Sequence, residues 1–295
     1  MSALAEAPLG PGDAAEVTAV WRACEIDADG APEFEEADVA AVVQRPSFDF
    51  ARHTLGVRDG RDLVAFGVVI LPRIIFVKVL PAHRGRGIGT RLLAWSEDAA
   101  RAAGLDVAAQ ELSDNDPAAI ALLEAHGYAR QWDAWAFEIA FEREPAPPVL
   151  ADGYAIRSFV RGEDDRAVYD TVQRAFGEWP DYQGSTFEDW SATTLDRPGF
   201  APERLSVCVR GDEIVGCLLL VDTGDEGWID QVAVAREHRG HGLGRALLTH
   251  AFGQTWRRGG RKCALGTDSR TGARGLYERV GMHVRTSYGE YRKAL

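Results

Sequence analysis

Apolar residues in the C-terminal half of the chain recur with two different periods. They alternate or run continuously on either side of Arg210-Gly211-Asp212, which predicts strands at 204–209 and 213–221 joined by a tight turn. A third strand is expected at 228–234. From 242 to 258 the spacing becomes that of a helix, with Leu243, Leu247 and Ala251 four residues apart on one face. A strand at 154–159, helices at 164–176 and 187–194, a strand at 263–267, a helix at 271–280 and closing strands to 294 complete the half. Mixed strands and helices on one core predict an α/β or α+β fold, a mixed central sheet flanked by helices.

The same order occurs twice. Residues 77–93, which contain His83-Arg84-Gly85-Arg86-Gly87-Ile88-Gly89, return at 232–248 as His238-Arg239-Gly240-His241-Gly242-Leu243-Gly244, a constant offset of 155. Leu122-Leu123-Glu124-Ala125-His126-Gly127 is echoed by Leu276-Tyr277-Glu278-Arg279-Val280-Gly281 at an offset of 154. Duplication of a whole domain accounts for both matches. Pro145, Pro147 and Pro148 exclude helix and sheet interiors, so 145–152 is expected to be a linker between domains at 1–144 and 153–295.

Composition narrows the function classes. With 46% hydrophobic and 26% charged residues, the 295-residue chain reads as globular and long enough for two cores. Apolar runs such as 214–221 fall well short of the ~20 residues that span a bilayer. The first residues show no basic stretch followed by an apolar core, so a cytoplasmic location is expected. A net charge of -12 disfavours nucleic acid as a partner, and most of it lies before residue 150, where 13 Lys and Arg face 24 Asp and Glu. Cys24, Cys208, Cys217 and Cys263 lack the spacing of a disulfide framework or a zinc ribbon.

A strand that enters a glycine loop and then an amphipathic helix suits a phosphate ligand. Glycine lets the backbone turn and approach closely, and a helix N-terminus offers unpaired N–H groups and partial positive charge. Arg239 and Arg245, with Arg84 and Arg91 in the first copy, add charged donors. The glycine spacing matches neither the dinucleotide fingerprint nor the triphosphate loop. Arg84-x-x-Gly87-x-Gly89 and Arg239-x-x-Gly242-x-Gly244 resemble the acyl-CoA pyrophosphate loop of the GNAT superfamily of N-acetyltransferases, and the resemblance covers nearly the whole chain as two tandem copies.

That resemblance implies acetyl-CoA as acyl donor and a role for each matching residue. In the second copy, Val232, Ala233 and Val234 would pair with the pantetheine arm, and Arg239, Gly240, His241, Gly242, Leu243, Gly244 and Arg245 would hold the pyrophosphate. In the first copy those roles fall on Val77 and Val79, and on Arg84, Gly85, Gly87 and Gly89. Asn115 fits a further CoA contact; Ser269 replaces it in the second copy, where it is equally suited to capping a helix.

The copies differ in chemistry. Acetyl transfer to an amine needs a base for the amine, donors for the developing oxyanion and an acid for the departing thiolate. The resemblance implies Tyr277, at the family's tyrosine position, as the acid and Asp230, near its strand carboxylate, as the base, with Glu226 or a water as rival bases; the first copy has Leu123 and Ile75 at those positions. Asp230 is expected on the same strand face as Val232. The aromatic stretch with Phe176, Trp179, Tyr182 and Trp190 is expected to line an acceptor pocket, although rings at that density also suit a core. His238 and His241, three apart, are expected beside phosphate or solvent, with no metal, and Cys263 in the core. The function expected is an N-acetyltransferase that acts on a small-molecule primary amine at the C-terminal site. The alternative is an acyl-CoA-binding regulatory protein without turnover.

Overall fold

Residues 141–153 form neither helix nor strand, as their prolines require. On either side of them the computed structural model describes residues 4–72, 74–222 and 224–295. The first stretch contains β1 (Leu4–Ala7), α1 (Ala14–Asp29), α2 (Glu36–Val43), α3 (Phe50–His53), β2 (Thr54–Asp59), β3 (Asp62–Ile70) and β4 (Ile74–Val79). It continues with α4 (Ile88–Ala102), β5 (Val107–Ser113), α5 (Pro117–Ala125) and β6 (Ala129–Ala140). The second contains β7 (Tyr154–Ser158), α6 (Asp165–Phe176), α7 (Phe187–Thr194), β8 (Leu205–Arg210), β9 (Glu213–Asp222) and β10 (Glu226–Val234). It ends with α8 (Leu243–Arg257), β11 (Lys262–Asp268), α9 (Arg274–Arg279) and β12 (His283–Ala294). Among the described residues no helix is long and apolar enough to cross a membrane.

The elements assemble into two units, and neither is continuous in sequence. One takes residues up to Asp133 together with Glu188–Gly199 and Tyr288–Leu295; the other takes Ala134–Phe187 and Phe200–Ser287. β6 and β12 therefore each begin in one unit and end in the other.

In the second unit the strands run β6-β11-β10-β9-β8-β7. β6 enters through Ala134–Ala140, antiparallel to β11, and β11 lies parallel to β10. Leu243, Leu247, Leu248, Ala251 and Phe252 of α8 pack on Leu218, Leu220, Ile229 and Leu265 of the sheet. Each fully buried leucine there contributes roughly 1.5–3 kcal/mol. α6 packs on β9 and β10 from the other face through Val168, Val172 and Ala175.

In the first unit the order is β1-β2-β3-β4-β5-β12. Its last strand is supplied by the C-terminus, with Tyr288–Ala294 antiparallel to Val107–Ser113 of β5, and Tyr291 is buried beside Leu93 and Leu112. Ile88 and Leu92 of α4 pack on Val57, Val64 and Ala65. On α1, Trp21 stacks on Phe34 at 4.0 Å and meets Phe76 of β4 edge-on at 4.7 Å.

Candidate active site

The decisive irregularity of the second unit is in β10. Ile229 pairs with Leu220 and Gln231 with Leu219, so Asp230 is the extra residue of a β-bulge. Such a bulge bends a strand and changes which face the following side chains occupy. Ile229, Val232 and Val234 share the α8 face with Leu220, Leu218 and Gly216, whereas Asp230 falls with Trp228, Gln231 and Ala233 on the face that α6 covers. The expectation that Asp230 and Val232 share a face is corrected by this shift. So is the pairing of Asp230 with Ile75: β4 pairs with β3 without a register shift, Ile75 opposite Val69, so Ile75 is the counterpart of Ile229. Asp230 has no counterpart in the first unit.

The bulge coincides with an opening in the sheet. β10 and β11 pair from Glu226–Lys262 to Ile229–Leu265 and part beyond it, although each strand continues. β10 beyond Ile229 therefore presents to β11 an edge available to another extended group. Asp230 at this point is exposed, with Gln231 Nε2 donating to its Oδ2 at 3.3 Å.

At the end of β10 the chain makes a short turn at Arg236–His238 and enters α8 through Gly240 (φ 81°) and Gly242 (φ 75°). A Cβ on either glycine would meet nothing within 4 Å, so the left-handed backbone rather than crowding calls for glycine. Gly244 differs: a Cβ there would lie 3.1 Å from Leu276 of α9, as one on Gly89 would lie 3.0 Å from Leu122. The first helical bond runs from Ala246 N to Gly242 O, which leaves the preceding amides of the turn without helical partners. Leu243 is buried in the core, while Arg245 is exposed. Arg239 donates from Nε to Val234 O at 3.1 Å and from its two terminal nitrogens to both oxygens of Glu178 at 3.0 and 3.1 Å.

His238 is buried, with Nδ1 3.0 Å from Tyr154 Oη, while the His241 ring lies against the carbonyls of His238 and Arg239. Glu213, Glu237 and His238 bring one donor atom each within 4.8 Å of one another. Ser269 is exposed in the turn before α9, where the Thr271 hydroxyl accepts from Ala273 N at 3.1 Å.

Tyr277 lies in the apolar core of the second unit, 5% exposed, its ring 5.7 Å from that of Phe137 on β6. Burial pushes its phenol up to about 12, opposed by a hydrogen bond with Thr267 of β11. It keeps its proton at neutral pH. Leu123, its counterpart, is buried in the first unit's core. Cys263 is likewise buried, its thiol pushed up to about 12 by desolvation, with Sγ donating to Thr255 Oγ1 at 3.1 Å.

Three of the four aromatic candidates come together. Phe176 stacks on Trp179 at 4.2 Å, and Tyr182 meets both edge-on at 6.2 Å while its hydroxyl donates to Gln173 Oε1 at 2.9 Å. Trp190 does not join them. It is buried in the first unit, to which its segment is tied by Ser47 N bonded to Asp189 and by Arg197 paired with Asp38. Sequence reasoning missed Glu178, the position of the bulge, and Phe137, which reaches this core from more than a hundred residues upstream. No spacing in the sequence signals any of the three.

The acetyltransferase (GNAT) family model matches residues 18–128 and 166–282, one stretch for each copy of the loop. The chain belongs to the GNAT acetyltransferase family. It is 30% identical over 281 residues to a mycothiol acetyltransferase from Thermobispora bispora, covering 92% of each chain. A GCN5-related N-acetyltransferase from Sphaerobacter thermophilus superposes with a TM-score of 0.78 at 32% identity, over 99% of this chain and 95% of that one. A tandem GNAT protein from the clavulanic acid biosynthesis pathway shares the fold at 16% identity, with a TM-score of 0.75 over 99% and 98% of the two chains. This tandem GNAT chain is an acyltransferase with a mixed sheet flanked by helices in each unit.

Proposed function

We propose that this GNAT protein transfers an acetyl group from acetyl-CoA to a primary amine of a small molecule, and that the second unit carries the reaction. The observation that carries this reading is the coincidence, among the described residues in that unit alone, of the Asp230 bulge and Tyr277 with a parted strand pair and a glycine loop. Acetyl-CoA supplies an activated thioester. The edge of β10 at Val232 and Val234 aligns the pantetheine arm, and the amides of the loop from Gly240 to Gly244 hold the pyrophosphate. Backbone N–H groups at the bulge face the charge that develops on the carbonyl oxygen.

Asp230 accepts the proton of the amine, directly or through water, so that the nitrogen lone pair can attack the carbonyl carbon. Tyr277 returns a proton to the departing sulfur, a role that its high pKa suits. Phe176, Trp179 and Tyr182 form the aromatic wall of the acceptor side. The name shared by relatives such as the Thermobispora bispora protein makes the mycothiol-forming amine the first acceptor to test, beside aminoglycosides and polyamines.

The burial of Tyr277 favours one rival, an acyl-CoA sensor without turnover. Release of free CoA thiol from acetyl-CoA with this panel of amines separates the two. Turnover with any amine supports the enzyme; tight CoA binding with none supports the sensor.

A further inference from the structure

In the first unit β4 and β5 pair at Ile74–Ala109 and, among the described residues, not beyond it, so a cleft opens along Val77 and Val79 as one opens along β10. The chain's own side chains fill it. Gln110, 2% exposed on β5, accepts through Oε1 from Val77 N at 3.3 Å. Val79 O accepts from Cys24 Sγ of α1 at 3.4 Å, besides the bond from Arg84 Nε at 3.4 Å that Arg239 also makes to Val234 O in the second unit. Asp29, the last residue of α1, accepts from Ser113 Oγ at 2.6 Å and from Asn115 Nδ2 at 2.9 Å.

The cations of the loop are neutralised as well. Arg84 pairs with Asp27 at 2.9 Å and Asp116 at 3.3 Å, Arg86 with Asp59 at 3.6 Å, and Arg91 with Glu6 at 3.0 Å. Val77, Val79, Arg84 and Asn115 are the residues that the family motif would turn toward CoA, and each is already held. In the second unit Arg239 has one carboxylate partner, Glu178, and Arg245 makes no ion pair among the described residues.

We infer that the first unit's acyl-CoA cleft is closed by the chain itself, chiefly by Asp29 and Gln110, so that one CoA binds per chain, at the second unit. A CoA entering the first cleft would have to displace the Gln110 amide from Val77 and bring its phosphates against Asp27, Asp29 and Asp116. Like charges at such distances repel, and more strongly where side chains are half-buried than in open water. This inference rests on CoA being the ligand of the second unit, as proposed above.

Calorimetric titration of the full chain with CoA, without an acceptor, tests it. The expected stoichiometry is one; Gly242→Val abolishes it and Gly87→Val leaves it unchanged. Asp29→Ala combined with Gln110→Ala is expected to add a second site. Two CoA per wild-type chain, or loss of the single site in a folded Gly87→Val protein, overturns the inference. A folded double variant that still binds one CoA overturns the assignment of what closes the cleft. No CoA bound by the wild type would sink the proposed function instead, and the double variant would then decide the inference alone.

Discussion

Glu178 holds Arg239 through both carboxylate oxygens, at 3.0 and 3.1 Å, directly beside the loop proposed to receive the pyrophosphate. Both side chains are partly exposed, so the pair contributes at most about 1 kcal/mol to stability. Its larger effect is electrostatic. Glu178→Gln removes a negative charge next to an anion site, so CoA is expected to bind severalfold more tightly at low ionic strength, with the gain lost in high salt. Titrations at two salt concentrations check this.

Tyr277→Phe deletes one hydroxyl from an otherwise apolar setting. Turnover is expected to fall on the order of a hundredfold or more while CoA affinity stays nearly intact, the signature of an interaction made in the transition state. Because burial holds the phenol near 12, no decline in wild-type rate between pH 7 and 10 should arise from its ionisation. Steady-state kinetics across that range would expose a lower-lying acid.

Deleting Asp230 should return β10 to the regular register that β4 has with β3. The expected product is a folded protein, by circular dichroism, with turnover lowered at least a hundredfold. Asp230→Asn keeps the bulge and removes only the base, so its loss should be large near neutral pH and small at high pH, where the amine is already deprotonated. A fully active deletion variant would show that the bulge is dispensable.

Gly242→Val forces a branched side chain into a left-handed backbone, at a cost of about 1–3 kcal/mol, and narrows the approach to the loop amides. Thermal unfolding should show that modest loss, and CoA binding at the second unit should disappear. Gly244→Ala meets only the flexible end of Leu276 and is expected to reduce CoA affinity far less.

Removing Tyr288–Leu295 takes the outer strand from β5 and Tyr291 from the first unit's core. A fragment of residues 1–144 lacks the same strand. Both are expected to lose the cooperative unfolding transition of the first unit, measured by calorimetry, although the truncation at Tyr288 leaves the second unit's loop in place.

The sequence by itself determined much of this protein. The alternation of 204–221, the four-residue spacing from Leu243 and the repeated glycine loops are local patterns, and the strand, helix and turn types follow from them because backbone preference and one-sided burial act over a few residues. The helix that carries Tyr277 and the loop ahead of α8 were legible for the same reason, because local pattern fixes both. Tertiary structure decided what depends on partners distant in the chain. Which face Val232 occupies relative to Asp230 follows from the register of β10 against β9, and a single extra residue reverses it; the placement of Trp190 follows from contacts with Ser47 and Asp38. The exchange of β6 and β12 follows from strand pairings more than a hundred residues apart. Backbone hydrogen bonds are the same whatever residues make them, so no sequence period records which strand lies alongside which.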